Sequence, residues 1–313
     1  ADLRQRSEDE LLELARGRIL RLASYGSTTI EVKSGYGLSL VDELKSLKVI
    51  ARLSEELPVR LVPTWLGAHE IPHEFRTSDS GRRDYVRVLL EEMLPAVSRR
   101  GLAWFADVFC EPGVFTVEES RAILSASRDA GLGIKLHADE LEPHGGAELA
   151  AELGAVSADH LAAISERGIA ALAGSKTIAT LLPGTMLFLG RQQQAPARLM
   201  LDRGVAVALA TDFNPGTSPT FNFPLILTLA VSQLRMSAAE AILAATVNGA
   251  AALRLAGETG QIAPGFSADL AIWDAADFRE IPYWYGDRRC SGTWARGKPC
   301  HSPDAPDNLN LAR

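Results

Sequence analysis

Seven short apolar runs alternate with helical segments between residues 28 and 212, and this alternation constrains the fold more than any other feature. The runs cover residues 28–33, 59–69, 105–111, 133–140, 154–161, 177–184 and 205–212. Strands that alternate with helices of roughly 10 to 15 residues are typical of parallel βα units. The almost continuous apolar character of the runs predicts strands that are buried on both faces.

A helix precedes the first of these strands. Residues 7–25 begin with a serine suited to an N-cap and carry apolar residues at helical spacing. This order implies a further strand upstream, so we predict an α/β fold, a (β/α)8 TIM-like barrel whose first strand is missing from the sequence. The alternative is a doubly wound open sheet. Polar residues follow several different strands, and a barrel gathers all strand ends around one mouth, so the barrel is favoured.

The character of the chain changes after the barrel segment. An alanine-rich helical stretch follows residue 237, and turn-and-strand material follows it with no helix behind. We therefore predict a catalytic barrel domain over residues 1–255. Residues 256–313 are predicted to be a β-rich segment that belongs to a small composite domain.

Charge and cysteine content narrow the class of partner. The formal net charge is -7 with no basic stripe, which argues against nucleic acid or an anionic membrane surface and favours a small-molecule substrate. Three cysteines without paired metal spacing favour a reducing cytoplasm. We find neither a signal peptide nor an apolar run of about 18 residues that would span a membrane.

His137 and Glu140 stand three residues apart where the run 133–140 ends. Neutral imidazole is a common ligand of transition metals, and a neighbouring carboxylate can move a proton. The alternative is a histidine that caps the following helix, with the acid facing water. The pair alone is a weak signal.

Two more strand ends carry groups that could do chemistry. Asp212 precedes Asn214, Pro215 and Gly216, so it could serve as a base beside a metal or simply form an Asx turn. His160 could polarise a carbonyl group. A structural histidine bonded to the preceding aspartate is equally compatible with the sequence.

Taken in order, His137, His160 and Asp212 would lie on the fifth, sixth and eighth strands of a barrel that includes the upstream strand. This set resembles the amidohydrolase superfamily, in which these residues and an HxH motif on strand one surround one or two metals. Strand four ends in Cys110 and Glu111 rather than in the lysine that bridges two metals, so the resemblance implies one metal. His137 with Glu140 is similar to the HxxE of the mononuclear branch, which includes deaminases and cyclic-amide hydrolases.

Within that superfamily, residues from about 5 to about 275 resemble the imidazolonepropionase family. The motifs are EVKSGYGL, LGAHEIP, DVFCEPGVF, KLHADE, SADHL, LLPGT and ATDFNPGTS. The resemblance implies hydrolysis of 4-imidazolone-5-propanoate to N-formimidoyl-L-glutamate in histidine degradation. It also implies one divalent or trivalent ion, zinc or iron, and a homodimer, since related enzymes are often dimers.

The resemblance assigns roles residue by residue. His137 and Asp212 would bind the metal, and Glu140, His160 and Asp212 would be catalytic, with Asp212 taking a proton from water and Glu140 returning one to the leaving nitrogen. The residues that would contact substrate or product are Tyr36, His69, Glu140, Asn214, Gly216 and Thr217.

One departure from the family pattern is large. The 313 residues contain no HxH, and we expect that pair, with a substrate-binding arginine after it, upstream of Ala1. Two alternatives therefore stay open. One is a mononuclear-metal deaminase of the same superfamily, and the other is a catalytically inactive binding protein.

Overall fold

The computed structural model describes residues 2–76, 78 and 80–302, and all seven predicted strands are present in it. They form one parallel sheet in which each strand pairs with the next along the chain. The prediction of a curled parallel α/β sheet of the barrel type is confirmed. The strands are β1 (Thr29–Lys33), β2 (Arg60–Ala68), β3 (Phe105–Cys110), β4 (Gly133–Ala138), β5 (Ser157–His160), β6 (Ile178–Leu181) and β7 (Val207–Leu209).

Helices connect successive strands and cover the outside of the sheet. The helix before β1 begins with a capping box, because Ser7 and Glu10 bond each other's backbone N–H groups. The helices are α1 (Asp2–Gln5), α2 (Glu8–Ala23), α3 (Leu40–Glu56), α4 (Gly81–Val88), α5 (Leu94–Arg100), α6 (Val117–Asp129), α7 (Gly146–Leu153), α8 (Glu166–Ala173), α9 (Pro183–Phe188), α10 (Ala197–Asp202), α11 (Phe223–Ser232), α12 (Ala238–Ala245), α13 (Val247–Ala251) and α14 (Glu280–Tyr283). A 3-10 turn (His73–Phe75) precedes α4, and a π-helical turn (Leu89–Met93) joins α4 to α5.

The sheet curls without closing. Within the described part of the chain, β1 and β7 are the two edge strands, and neither pairs with the other. All residues of β4, β5 and β6 are buried, as the continuous apolar runs predicted. The upstream strand that we expect between the two edges stays a prediction.

A small antiparallel sheet follows the barrel strands. It contains β8 (Leu270–Trp273), β9 (Cys290–Ala295) and β10 (Lys298–His301), with β9 in the centre. The Thr293 hydroxyl donates to the carbonyl oxygen of Ala23 at 2.7 Å, which ties this sheet to the end of α2. The division at residue 255 into two domains stays a prediction, and residues 303–313 of the second lie outside the described residues.

Two further expectations concern the chain as a whole. None of the described helices is both long enough and apolar enough to cross a bilayer. Cys110, Cys290 and Cys300 are buried free thiols. A location in the cytoplasm stays a prediction.

Candidate functional site

The carboxyl ends of the strands open into one cavity of about 1470 Å³. Its walls include every residue of β1 and the end of β7, so it extends from the mouth along the gap between the two edge strands. All nine predicted site residues line it, although they come from five different strand ends or loops. They are Tyr36, His69, His137, Glu140, His160, Asp212, Asn214, Gly216 and Thr217.

Two neighbouring strands bring His137 and His160 together. Ala138 of β4 is in register with His160 of β5, and the two imidazole rings lie 5.0 Å apart between centroids. Glu140 reaches the same place, with Oε2 at 3.6 Å from His160 Nδ1. Among residues 2–76, 78 and 80–302, this buried nitrogen has no hydrogen-bond partner. A buried polar atom without a partner is costly, and the Glu140 carboxylate is the polar group that stands next to it, just beyond hydrogen-bond distance.

Asp107 fixes the orientation of His137. Its Oδ2 lies 3.0 Å from His137 Nδ1. Within the described residues this contact is an ion pair rather than a well-formed hydrogen bond, and with Nδ1 facing Asp107 the other nitrogen, Nε2, is the one left to bind a ligand. Burial lowers the pKa of His137, but the attraction of Asp107 outweighs it and raises the pKa to about 9.

A buried network of charges lies beneath the histidines. The Lys33 ammonium contacts Asp107 at 2.6 Å and both Glu31 and Asp159 at 3.1 Å. Lys135, on β4, adds a second cation at 2.9 Å from Glu31. Glu31 and Lys33 are two residues apart on β1, whereas the other three members come from other strands.

The network sets the charge of its members. Burial raises the pKa values of Asp107, Asp159 and Glu31, but the nearby cations outweigh burial and hold all three below their ordinary values. Burial lowers the pKa of Lys33, and the three carboxylates reverse this and raise it well above its ordinary value. Glu31, Lys33, Asp107 and Asp159 are therefore ionised at neutral pH.

One compact group of possible metal ligands occurs among the described residues. Ligand atoms of Asp107, His137 and Asp159 lie within 4.8 Å of one another. The Lys33 ammonium already contacts both carboxylates, so this group contains its own cation. Asp212 lines the same cavity as His137 but lies outside the group.

The chain leaves three of these strands through left-handed backbone. Asp139, His160 and Asp212 have φ values of 47°, 77° and 50°, and Leu161 follows at 61°. Such conformations cost about 1–3 kcal/mol each in residues other than glycine and collect at functional sites. The Thr185 hydroxyl, at the start of α9, donates to Asp212 Oδ2 at 2.7 Å and holds the carboxylate in place.

Asn214 builds the loop that follows β7. Its amide nitrogen donates to Asp212 O at 2.8 Å and to Thr217 Oγ1 at 2.9 Å. Its oxygen accepts from the N–H groups of Gly216 and Thr217 at 2.8 Å and 2.7 Å. The predicted substrate contacts of these three residues therefore involve groups that also form the loop's own hydrogen bonds.

His69 and Tyr36 form another part of the cavity rim, with ring centroids 5.3 Å apart. His69 Nδ1 lies 2.9 Å from the carbonyl oxygen of Gly35, so Nδ1 donates and Nε2 is an acceptor. Burial lowers the pKa of His69, which keeps the ring neutral. Gly35 has φ +105°, and a Cβ there would lie 2.8 Å from Leu66 O, so only glycine permits this close approach.

The family follows from sequence comparison. The model of the amidohydrolase family matches residues 1–301. The chain belongs to the amidohydrolase family. Imidazolonepropionase from Bacillus velezensis is 52% identical over 285 residues, which cover 91% of this chain and 67% of that protein. Imidazolonepropionase from Geobacillus thermodenitrificans is 51% identical, over 90% of this chain and 66% of that protein.

These relatives confirm the resemblance to imidazolonepropionases that the motifs predicted. The chain spans about two thirds of the length of the curated relatives it matches. Solved structures agree on the amidohydrolase fold. An atrazine chlorohydrolase from Arthrobacter aurescens, complexed with zinc, superposes with a TM-score of 0.74 at 18% identity, over 98% of this chain and 75% of that one. An adenosine deaminase from Xanthomonas campestris with bound zinc gives 0.68 at 19% identity, over 92% of this chain and 70% of that one.

Sequence reasoning missed the residues that hold the amidohydrolase site in place. Asp107, Thr185 and Glu111 were not assigned roles, because each acts on a partner from another strand or loop. A weak signal existed for Asp107, which is the one acid inside the apolar segment FADVFC. An acid within a buried strand requires a partner, and the sequence does not say which.

Proposed function

We propose that the protein hydrolyses the ring amide of 4-imidazolone-5-propanoate to give N-formimidoyl-L-glutamate, with the site residues acting as described below. The observation that carries the proposal is the convergence of all nine predicted site residues on one cavity. The identity of about half to curated imidazolonepropionases supports the same substrate. A small-molecule substrate follows from the family itself.

The donor atoms around the cavity fit a divalent metal. With Nδ1 beside Asp107, His137 would use Nε2 as the ligand atom, which gives up its proton when metal binds, and Asp212 would supply a carboxylate. Imidazole and carboxylate ligands suit zinc and iron alike. The two side chains at the end of β3 are not available as metal ligands, because Cys110 is a buried thiol and Glu111 accepts three backbone hydrogen bonds. This supports a single metal. When bound, the metal would lower the pKa of a water molecule and polarise the ring carbonyl.

Proton transfer is assigned to two carboxylates on opposite sides of the site. Asp212, held by Thr185, accepts a proton from the attacking water. The proton that Asp212 takes from water reaches the leaving ring nitrogen through Glu140, the C–N bond breaks and the ring opens, and both carboxylates end the cycle as they began. His160 faces the same space as Glu140 and stabilises the negative charge that develops on the carbonyl oxygen.

The rims bind the two ends of the substrate. His69 presents an acceptor nitrogen, which suits an N–H of the imidazolone ring, and Tyr36 lies beside it. We assign the propanoate to the loop of Asn214, Gly216 and Thr217, whose hydrogen bonds fix its shape before substrate arrives. A preformed loop saves the entropy of ordering it on binding.

The direct test uses full-length, metal-loaded protein. Loss of imidazolonepropanoate absorbance should accompany formation of formimidoyl-glutamate. Release of ammonia from nucleobases, with no turnover of the imidazolone, would identify the deaminase instead. Absence of both activities, together with metal content near zero, would leave only the binding protein.

Glu140→Gln should lower kcat about 10²-fold to 10⁴-fold, the range for loss of a general acid. Metal content should not change, because Glu140 is not assigned as a ligand. Steady-state kinetics and metal analysis of the purified variant check both statements. Glu142→Gln removes an exposed acid from the same loop and should behave as wild type. Wild-type turnover by Glu140→Gln would contradict the proton role.

Thr185→Val should lower kcat about 10-fold to 100-fold, because a hydrogen bond to a charged group contributes about 1.5–3 kcal/mol. Without the hydroxyl the Asp212 carboxylate would be free to rotate, and this would cause the loss of kcat. Thr185→Ser keeps the hydroxyl and is the matched control. If Val and Ser variants have equal kcat, the 2.7 Å contact does not orient the base.

A homodimer and the absence of nucleic-acid or membrane partners stay predictions. So do the identity of the metal, zinc or iron, and the cytoplasmic location.

A further inference from the structure

The loop after β4 carries Glu140, but the Glu140 side chain makes few contacts that would fix its own position. In the described part of the chain its carboxylate accepts no hydrogen bond, and its nearest polar contact is His160 Nδ1 at 3.6 Å. The position of this carboxylate therefore depends on its backbone. That backbone begins with Asp139 in a left-handed conformation, with φ at 47°.

Two buried carboxylates bind the backbone of this loop. Asp139 accepts from the N–H groups of four successive residues, His144 to Ala147, at 2.7–3.2 Å. Glu111, from the end of β3, accepts from the N–H groups of the three residues 140, 141 and 142 at 3.1, 2.9 and 2.8 Å. Asp139 thus secures the far end of the loop, whereas Glu111 secures the peptide unit of Glu140 itself.

The sheet cannot supply these acceptors. Cys110 of β3 is in register with Ala138 of β4, so residues 140–142 lie beyond the last paired residue. Their N–H groups point to the neighbouring strand end, where the next residue of the chain is Glu111. A carboxylate is the side chain best suited to accept several N–H groups at once, because its two oxygens offer about four acceptor sites.

Glu111 has no free group for chemistry of its own. It is 3% exposed, both of its oxygens are engaged, and it is absent from the described residues that line the cavity. Glu43 does the same for another mouth loop, accepting from the N–H groups of Gly35, Gly37 and Leu38 around Tyr36. The two loops that carry Tyr36 and Glu140 are thus each held by a buried glutamate.

We infer that Glu111 is a positioning residue that directs the Glu140 carboxylate toward His160 by binding the three backbone N–H groups that follow the left-handed turn. The inference rests on the proposed function, because it gives Glu140 a role in proton transfer. It also predicts that Glu111 lowers the activation free energy of the reaction only through its effect on Glu140.

Glu111→Gln is the informative variant, because it keeps the volume but replaces one accepting oxygen with an NH2 group that faces backbone N–H. In the full-length, metal-loaded protein, kcat should fall about 10-fold to 100-fold, the cost of misplacing a catalytic group by about 1 Å. KM and metal content should change little. In a Glu140→Gln background the same substitution should have no further effect on kcat. Independent effects that multiply would overturn the inference.

The variant Glu119→Gln distinguishes a general loss of stability from a specific effect on Glu140. Glu119 also accepts a backbone N–H, from Thr116 at 2.9 Å, and it binds Arg82, but it supports the start of α6 rather than the Glu140 loop. This control should lose stability and keep its kcat. A drop in kcat equal to that of Glu111→Gln would point to a structural role for both.

Amide hydrogen exchange tests the contact without substrate. The N–H groups of residues 140–142 should exchange slowly in the wild type, and at least 10-fold faster in Glu111→Gln, while Gly145 and Gly146 should not change. Fast exchange at 140–142 in the wild type would refute the inference even if Glu111→Gln failed to fold. Failure of the proposed function would appear differently, as wild-type protein that leaves the imidazolone intact.

Discussion

His137→Ala should lower turnover of the full-length protein at least about 10³-fold, because metal-assisted stabilisation amounts to several kcal/mol and each 1.36 kcal/mol is tenfold in rate. The bound metal per chain should fall in parallel, since the variant loses an imidazole whose Nε2 faces the cavity. Metal analysis after dialysis and a steady-state assay measure the two quantities. The two losses should appear together across a titration with added zinc or iron.

His73→Ala is the appropriate control. His73 is exposed in a 3-10 turn before α4 and contributes nothing to the cavity wall described above. It should retain wild-type metal content and turnover. Full activity in His137→Ala would remove the metal ligand on which the assigned chemistry depends.

Lys33→Met should destabilise the fold by about 3–5 kcal/mol at pH 7, the cost of removing one partner from a buried ion pair. Methionine fills the space of the lysine stem but leaves Asp107, Glu31 and Asp159 with only Lys135 and His137 for compensation. Chemical denaturation of variant and wild type measures the difference. Arg121→Met breaks the exposed pair with Glu152 and should cost no more than about 1 kcal/mol.

The pH dependence of this loss has a definite sign. The native pKa values of the three carboxylates lie below their unfolded values of about 3.9–4.3, so their contribution to stability is present above that range and is lost as the pH falls through the native values. Lys33→Met raises the native pKa values. The difference in the free energy of unfolding should therefore be fully present at pH 7 and shrink as the pH falls below about 4. A difference that is independent of pH would mean that the lysine acts through packing alone.

The strands, and the position of the candidate site residues at their carboxyl ends, could be predicted because both depend on local sequence. His137 and Asp212 each stand at the end of an apolar run of strand length. One short stretch of sequence therefore indicates both the strand and the polar residue that follows it. The bounds were less accurate: the run 154–161 contains a strand of only four residues, Ser157–His160. Hydrogen bonding of the flanking residues to neighbouring strands decides such limits.

The supporting contacts could not be predicted, since they join residues that are far apart in the chain. Lys33 and Asp159 are separated by 126 positions, and only the register of five strands brings them together. The loop after β7 gives a second case. Its turn chemistry could have been assigned to Asp212, but the structure uses Asn214 for the turn and leaves the aspartate carboxylate to Thr185.

The left-handed backbone at Asp139 and Asp212 affects how this site can be dissected. Asparagine adopts that conformation more readily than most residues, whereas alanine pays for its Cβ. Alanine scanning would thus remove a functional group and reshape the turn in a single step, and the two losses could not be told apart. Isosteric amide replacements at these two positions keep the turn and change only the charge and one acceptor oxygen, so they give the cleaner account of what each acid contributes.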